Sequence, residues 1–170
     1  MRVPGRLLIA CAAFLLCGCA GYRLGPTNGD AAGARTVQVT PFGNQTMEPR
    51  LGDATTAALR KQLQRDGTFR LATREPGDIV VTGVIVSYER REQSFSSADA
   101  LTPLDYRVGM TAQVTARERS TDRVLLNQQV TGYTLVRVGT DLTSAERQAL
   151  PLMAEDLAKN ITTLLADGKW

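Results

Sequence analysis

The segment Tyr106–Arg117 alternates apolar and polar residues more regularly than any other part of the chain. Side chains of a β-strand point to opposite faces in turn, so this pattern predicts a strand with one covered and one exposed face. The turn formers Ser120–Asp122 follow it, and Val124–Val136 then returns as the second strand of a hairpin. The chain therefore needs a sheet that is packed on one face only.

Three further segments are extended. Thr36–Val39 is alternating and β-branched, and Pro41 ends it. Thr68–Leu71 is a shorter extended piece. At the start of Ile79–Tyr88, odd- and even-numbered positions are both apolar. This predicts a central strand whose two faces are both covered there.

Two segments carry helical periodicity. Leu51–Arg65 has the four-residue repeat Leu51, Thr55, Leu59 and Leu63, with Ala54 and Ala58 beside it. Asp66-Gly67 ends this segment. The last segment starts with Thr143-Ser144-Ala145-Glu146, which fits a capping box. An apolar stripe follows, formed by Leu150, Met153, Leu157, Ile161 and Leu164. Pro151 interrupts this stripe, so either the helix kinks there or a short first helix ends just before it.

These elements predict an α+β fold. Its order is β-α-β-β-β-α, with two helices packed on one face of a four-stranded mixed sheet as a two-layer sandwich. The first two strands are joined through a helix, which favours a parallel pair with a right-handed crossover. The last three strands form an antiparallel meander.

The N-terminus has the features of a secretion signal. Arg2 and Arg6 precede the uncharged run Leu7–Leu16, which is too short to span a bilayer and has the length of a signal-peptide core. Leu16-Cys17-Gly18-Cys19 resembles the lipobox of bacterial lipoproteins, in which the last cysteine is lipidated and becomes the mature N-terminus. An ordinary signal peptide or a short membrane anchor is the alternative.

This interpretation divides the chain into three parts. Residues 1–18 form the signal peptide, residues 19–35 form the lipidated N-terminus with a flexible tether, and residues 36–170 form a single periplasmic domain. Cys19 would carry a diacylglycerol and an amide-linked acyl chain, and we expect no other cofactor. Ala20 rather than Asp follows this cysteine. In the lipoproteins that this segment resembles, sorting between the two membranes depends on that position, so Ala20 favours the outer membrane over the inner one.

The composition leaves little catalytic chemistry. The chain has no histidine, and its three cysteines leave with the signal or take up lipid, which excludes histidine- and thiol-based catalysis and zinc sites built from them. The adjacent carboxylates Glu155 and Asp156 fit a solvated helix face better than a catalytic pair. We therefore predict a protein that is not an enzyme and holds no metal. Without residues 1–18, 18 basic residues face 17 acidic ones, and a net charge of +1 argues against a nucleic-acid binder.

Four arginines meet at one edge of the predicted meander. Arg90 and Arg91 end one strand, Arg107 begins the next, and Arg137 ends the last. Guanidinium groups bind phosphate through two parallel hydrogen bonds, and nearby aromatic residues could lie against acyl chains. The aromatic residues concerned are Tyr88, Phe95 and Tyr106. The alternative is a set of solvated salt bridges, because Glu89, Glu92 and Asp105 are close in sequence.

The order of features resembles LptE, the family of lipopolysaccharide-assembly lipoproteins of Gram-negative outer membranes. The resemblance starts at Cys19–Gly25 and continues in Val37–Pro49, which is similar to the family's strand followed by Phe-x-Asn-x-Thr. Gly77–Ile85 is similar to the family's Ala-Asp-hydrophobic strand with its internal glycine. Pro151 in the last helix departs from the family pattern.

The resemblance implies two helices on a four-stranded sheet, in agreement with the periodicity. It also implies that the protein plugs the β-barrel of LptD, helps that barrel to assemble and contacts lipopolysaccharide on its way to the cell surface. The residues that correspond by position to the family's lipopolysaccharide contacts are Arg90, Arg91 and Arg137, with Arg107 as a weaker candidate. The alternatives are another envelope-assembly lipoprotein of similar fold, or a lipid-anchored hydrolase that uses carboxylates.

Overall fold

The computed structural model describes residues 31–95, 103–137 and 142–168. The strands are β1 (Thr36–Val39), β2 (Gly43–Asn44), β3 (Arg70–Leu71), β4 (Ile79–Phe95), β5 (Pro103–Glu118) and β6 (Val124–Arg137). The helices are α1 (Leu51–Asp66) and α2 (Leu142–Asp167). The predicted signal peptide, the lipidation site Cys19 and most of the predicted tether lie outside the described residues.

The strands form one mixed sheet in the order β3-β1-β4-β5-β6, with β2 paired to β4 beyond the end of β1. β1 is parallel to β3 and β4, whereas β4, β5 and β6 form the antiparallel meander that the sequence predicts. The sheet has six strands rather than four, because β2 and β3 each add a strand of two residues. Segments of that length show no periodicity, although β3 coincides with the extended piece predicted at Thr68–Leu71.

Both helices cover the same face of the sheet, as predicted. The core between the layers takes Leu59 and Leu63 from α1 and Met153, Leu157 and Ile161 from α2, all fully buried. From the sheet it takes the apolar parity of β5, namely Val108, Met110, Ala112, Val114 and Ala116. The alternation of β5 therefore reflects one apolar face against the helices and one polar face away from them.

Helix α2 is a single helix of 26 residues that contains Pro151, so it does not break into two helices there. Pro151 lies on the exposed side, while Met153 and Leu157 hold the next turn in the core. The predicted capping box is wrong, because the helix starts at Leu142 and already includes Thr143. The carboxylate of Glu146 instead bonds Arg90 of β4.

Strands β4 and β5 are longer than the predicted segments Ile79–Tyr88 and Tyr106–Arg117. A β-bulge at Val86 separates the register pairs Ile85–Ala112 and Ser87–Thr111. One extra residue in a strand reverses the parity of everything beyond it. Odd-numbered residues of β4 therefore face the helices before the bulge, and even-numbered residues do so after it.

No helix in the described ranges has the length and apolar character needed to cross a bilayer.

Candidate functional site

The candidate site lies on the face of the sheet that the helices leave uncovered, which we call the open face. Much of this face consists of hydroxyl and amide side chains that bond across the strands. Gln113 Nε2 donates to Asn127 Oδ1 at 2.8 Å, and the hydroxyls of Thr111 and Thr131 lie 3.2 Å apart. At one end of the meander, where β4 and β6 end and β5 begins, charged residues replace this polar surface.

Arg91 of β4 and Arg107 of β5 are directly opposite each other in the antiparallel register. Like charges in this arrangement are destabilising unless something neutralises them. Glu89 does so for Arg91, whose Nη2 and Nε donate to its Oε2 at 2.6 and 3.1 Å. In the described parts of the chain Arg107 has no carboxylate partner. The pair therefore keeps a net positive charge, and an anion would stabilise it.

Arg107 instead packs on the aromatic ring of Tyr133 in β6. The guanidinium carbon lies 3.7 Å from the ring centroid, which is a close cation–π contact. Tyr133 is 46% exposed, so one side of the stack remains open to solvent. The ring restricts Arg107 without consuming its hydrogen-bond donors, which leaves them available to a ligand.

A shallow depression of about 260 Å³ surrounds this stack. Gly109 is directly opposite Tyr133 in the register and has no side chain to fill the space between the strands. The depression is lined by Ser87, Glu89, Arg91, Arg107, Gly109, Thr111, Thr131 and Tyr133. Its donors are two guanidinium groups and three hydroxyls of Ser and Thr, a set that suits phosphate or sugar oxygens.

Arg137 lies on the same face, one step toward the end of the sheet. Its Nε donates to Asp105 Oδ1 at 3.1 Å, and Ser94 Oγ donates to Asp105 Oδ2 at 2.7 Å. The hydrogen bond from Ser94 and then that from Arg137 hold the pKa of Asp105 below its ordinary value. Because the Arg137 side chain is 82% exposed, this ion pair is open to competition by a ligand.

Arg90 does not join the other three arginines, which corrects the expected meeting of four guanidiniums. It pairs in register with Val108, a core residue, and so lies on the helix side of the sheet. There it bonds Glu146 of α2, which raises its pKa, and its guanidinium lies 5.5 Å from the Tyr106 ring centroid. The physical cause is the alternation of side chains along β4. Adjacent residues such as Arg90 and Arg91 cannot share a face.

The aromatic partner on the open face is Tyr133, which the sequence analysis did not single out. The predicted candidates Tyr88 and Tyr106 are partly buried on the helix side, and the side chain of Phe95 lies outside the described part of the chain. Counting outward from the hairpin turn would not have found Tyr133, because a register shift between Ala116 and Arg117 moves the pairing of β5 with β6 by one residue. Beyond that shift Gly109 is opposite Tyr133 and Arg107 is opposite Leu135, so Tyr133 is the diagonal neighbour of Arg107.

The adjacent carboxylates of α2 are held in structural contacts. Glu155 Oε1 accepts from Lys61 Nζ of α1 at 2.7 Å, and this hydrogen bond lowers the pKa of Glu155. Asp156 Oδ2 accepts from the backbone N–H of Tyr133 at 3.0 Å, which caps the outer edge of β6. Within residues 31–95, 103–137 and 142–168, no group of three or more His, Cys, Asp or Glu residues could hold a metal ion.

Comparisons with solved structures confirm the fold. A hypothetical protein from Chlamydia trachomatis matches with a TM-score of 0.58 and 11% identity, over 82% of this chain and 98% of that one. A protein of the DUF330 family from Xanthomonas campestris matches with a TM-score of 0.56 and 13% identity, over 85% and 92%. A minor lipoprotein from Acinetobacter baumannii gives 0.50 and 13%, over 78% and 92%. At these identities the likeness concerns the fold alone.

The comparison with curated proteins finds no match. Among family models, the one described as LptE, lipopolysaccharide-assembly, matches residues 34–165. This range contains the whole two-layer core and both arginines of the open-face pair. The chain therefore belongs to the LptE family, whose role is lipopolysaccharide assembly.

Proposed function

We propose that this protein is a non-enzymatic outer-membrane lipoprotein that plugs the LptD barrel, helps it to assemble and contacts lipopolysaccharide through the open face of its sheet. The observation that carries the lipopolysaccharide contact is the opposed pair Arg91 and Arg107, which has one carboxylate for two guanidinium groups. Lipid A offers phosphate groups, and a phosphate between the two arginines would supply the missing negative charge.

Three arginines form the proposed contact, and one aromatic ring supports it. Arg91 and Arg107 bind the phosphate, and the Tyr133 ring keeps Arg107 in place. Arg137 adds a weaker contact from the next position, since it must exchange Asp105 for the ligand. Arg90 is not part of this contact, because the alternation along β4 places it on the helix side of the sheet, where it bonds Glu146 of α2.

The polar part of the open face is an argument for the proposed role as a plug of the barrel. The inside of an outer-membrane barrel is polar, in contrast to its lipid-facing outside. A sheet face of threonine, glutamine and asparagine side chains can exchange its cross-strand hydrogen bonds for bonds to such a wall. The helices cover the other face, so the sheet presents this surface without exposing the apolar core.

The membrane anchor is proposed on Cys19. Three acyl chains would hold the domain stably, since one chain alone binds only reversibly. Replacement of Cys19 by Ala should release the protein from the membrane fraction and abolish fatty-acid labelling. Continued labelling of the Cys19→Ala protein would show that the lipobox assignment is wrong.

Lipopolysaccharide binding tests the contact itself. We would measure the affinity of the unlipidated mature chain for lipopolysaccharide, with and without the double substitution Arg91→Ala, Arg107→Ala. The variant should bind about tenfold or more weakly, and this difference should shrink at high salt. The matched control is Arg65→Ala with Lys159→Ala, which removes two positive charges from the exposed helix side. Equal affinities of the two double variants, both checked for folding by circular dichroism, would refute the arginine contact.

The alternative of another envelope-assembly lipoprotein makes a different prediction for the partner. Purification of the lipidated protein from detergent extracts should recover LptD. Recovery of a different barrel protein in its place would favour this alternative and contradict the plug.

A further inference from the structure

A second group of arginines lies at the opposite end of the sheet. A depression of about 420 Å³ is found at the edge of β1, beyond the point where β3 ends. It is lined by Arg60 of α1, Arg74 of the β3–β4 loop and Arg119 of the β5–β6 turn, together with Gln38. We call this the basic depression. Arg107 and Arg119 are 12 positions apart along β5 and its turn, or roughly 40 Å at 3.4 Å per residue, so the two arginine groups are well separated.

Backbone contacts hold two of these arginines in place. The N–H of Arg119 donates to the carbonyl of Asp78 at 2.8 Å, which ties the β5–β6 turn to the start of β4. On the other side, Nη2 of Arg60 donates to the carbonyl of Val39 at 2.9 Å. That bond places the guanidinium against the open edge of β1 and leaves its remaining N–H groups free to point into the depression.

The loop that carries Arg74 is pinned at both ends. The N–H of Ala72 donates to the carbonyl of Val37 at 2.8 Å. At the other end, Gly77 lies so close to β1 that a Cβ on it would come within 2.6 Å of the backbone nitrogen of Gln38. The depression is therefore a built part of the fold rather than a chance approach of long side chains.

The basic depression is short of negative charge. None of the ion pairs in the described ranges includes Arg60, Arg74 or Arg119, and Glu75 is the one acidic residue of its lining. The nearby carboxylates Glu118 and Asp122 are already paired with other arginines of this end. Three guanidinium groups around one cavity thus face a single carboxylate, and such a site favours an anion.

This end of the sheet is also where the chain enters the fold. The N–H of Gly33 donates to the carbonyl of Thr68 at 2.9 Å, beside β3, and Thr36 bonds Asp78. Gly33 follows Cys19 by 14 positions, so the extended chain between them cannot reach further than about 50 Å. A lipid on Cys19 would therefore keep Gly33, at this end of the sheet, within about 50 Å of a membrane surface.

We propose that the basic depression binds the phosphate groups of anionic phospholipids in the leaflet that holds the lipid anchor. The proposal rests on the anchor at Cys19 and not on the lipopolysaccharide contact. Phospholipid headgroups supply phosphates at high density within reach of the tether, and guanidinium groups bind phosphate through paired hydrogen bonds. Contact at this end would orient the domain, with the Arg91–Arg107 pair directed away from that leaflet.

The test uses the complete mature chain with Cys19→Ala, so that no acyl chain contributes to binding. The buried core lies between Val37 and Leu165 and is unaffected by this change. In flotation with vesicles of phosphatidylglycerol and phosphatidylethanolamine, the protein should bind, and with phosphatidylcholine vesicles it should not. Each basic residue near an anionic surface changes binding by roughly fivefold, so Arg74→Ala with Arg119→Ala should weaken it by roughly 25-fold.

Two further variants make the result specific. Arg74→Lys with Arg119→Lys keeps the charges and should retain most of the binding to anionic vesicles. Arg65→Ala with Lys159→Ala removes the same charge from the exposed helix side, outside both proposed sites, and should bind like the parent protein. The lipopolysaccharide test above changes Arg91 and Arg107, whereas this test changes Arg74 and Arg119, so failure of one proposal is distinguishable from failure of the other.

Three outcomes would overturn the proposal. The first is equal binding of anionic vesicles by the parent protein and the Arg74→Ala, Arg119→Ala variant. The second is equal binding of anionic and neutral vesicles. The third is complete displacement of the protein from vesicles by millimolar glycerol phosphate, which would identify a soluble phosphate ligand instead of a membrane surface.

Discussion

Gly132 of β6 lies against the backbone of Leu157 in α2, and a Cβ at Gly132 would come within 2.5 Å of the Leu157 nitrogen and Cβ. The helix can approach the sheet this closely because residue 132 has no side chain. Leu157 is fully buried at this point of contact. The same stretch of α2 supplies Asp156 to the N–H of Tyr133, so the approach also positions the aromatic ring of the open face.

Gly132→Ala should therefore destabilise the protein. The added methyl group cannot be accommodated unless α2 moves away from β6, and overpacking of this kind costs about 1–3 kcal/mol. At roughly 2–4 °C per kcal/mol for a chain of this size, thermal unfolding should show a clear fall in Tm. Gly109→Ala is the control, because a Cβ there meets nothing closer than 3.6 Å. An equal Tm for the two variants would contradict the close packing.

The layered fold could be predicted because its main elements carry long periodic signals. The strand around Val108–Ala116 and the stripe Met153–Ile161 each reveal a buried face that follows from a period of two residues or of 3.6. The two-residue strands β2 and β3 have no such signal. The predicted capping box at Thr143–Glu146 is wrong for a different reason, since the carboxylate of Glu146 bonds Arg90 of β4, a contact between elements that the local sequence does not show.

The candidate site was only partly predictable. Arg91, Arg107 and Arg137 lie at one end of the meander as expected, but the bulge at Val86 decides which of Arg90 and Arg91 shares the open face with the other two. A bulge is an outcome of sheet pairing and leaves no local mark in an apolar strand. The basic depression was missed because its three arginines come from separate elements, and their meeting requires the parallel pairing of β1 with β4.

Asp78 and Thr36 form a contact before the start of β4 that should weaken in acid. Its Oδ2 accepts from the N–H and the hydroxyl of Thr36 at 2.8 and 2.7 Å. The backbone hydrogen bond and then the hydroxyl hold the pKa of Asp78 below its ordinary value. A lowered pKa means that the stabilisation is present at neutral pH and is lost as the pH falls through that lowered value.

Asp78→Asn should therefore lower the free energy of unfolding at pH 7 by about 1 kcal/mol, since the contact is exposed. The difference from the wild type should shrink as the pH falls below about 4, the ordinary pKa of the carboxyl in the unfolded chain, and on through the lowered pKa of the folded state. Denaturant unfolding at several pH values measures both. Glu75→Gln in the neighbouring loop is the control and should show no such convergence. A difference that stays constant down to pH 2 would mean that the charge of Asp78 does not contribute.

Substitution of Arg90 tests which face of the sheet binds lipopolysaccharide. Its ion pair with Glu146 joins β4 to α2, and the two side chains are 45% and 23% exposed, so Arg90→Ala should cost less than about 1 kcal/mol. Lipopolysaccharide affinity should remain at the wild-type level, in contrast to Arg91→Ala. If Arg90→Ala weakens lipopolysaccharide binding as much as Arg91→Ala does in the same titration, the ligand reaches the helix side and the open-face site is wrong.

Tyr133 should contribute to lipopolysaccharide binding through its ring alone. The ring holds Arg107 near its bound position, and an exposed cation–π contact is worth about 0.5–1 kcal/mol. Tyr133→Ala should therefore weaken lipopolysaccharide binding by roughly two- to fivefold, because Arg107 must then be ordered by the ligand. Tyr133→Phe retains the ring and should bind like the wild type. Titration of both variants separates the outcomes: equal losses would assign the effect to the hydroxyl, and no loss with Tyr133→Ala would show that Arg107 needs no support from the ring.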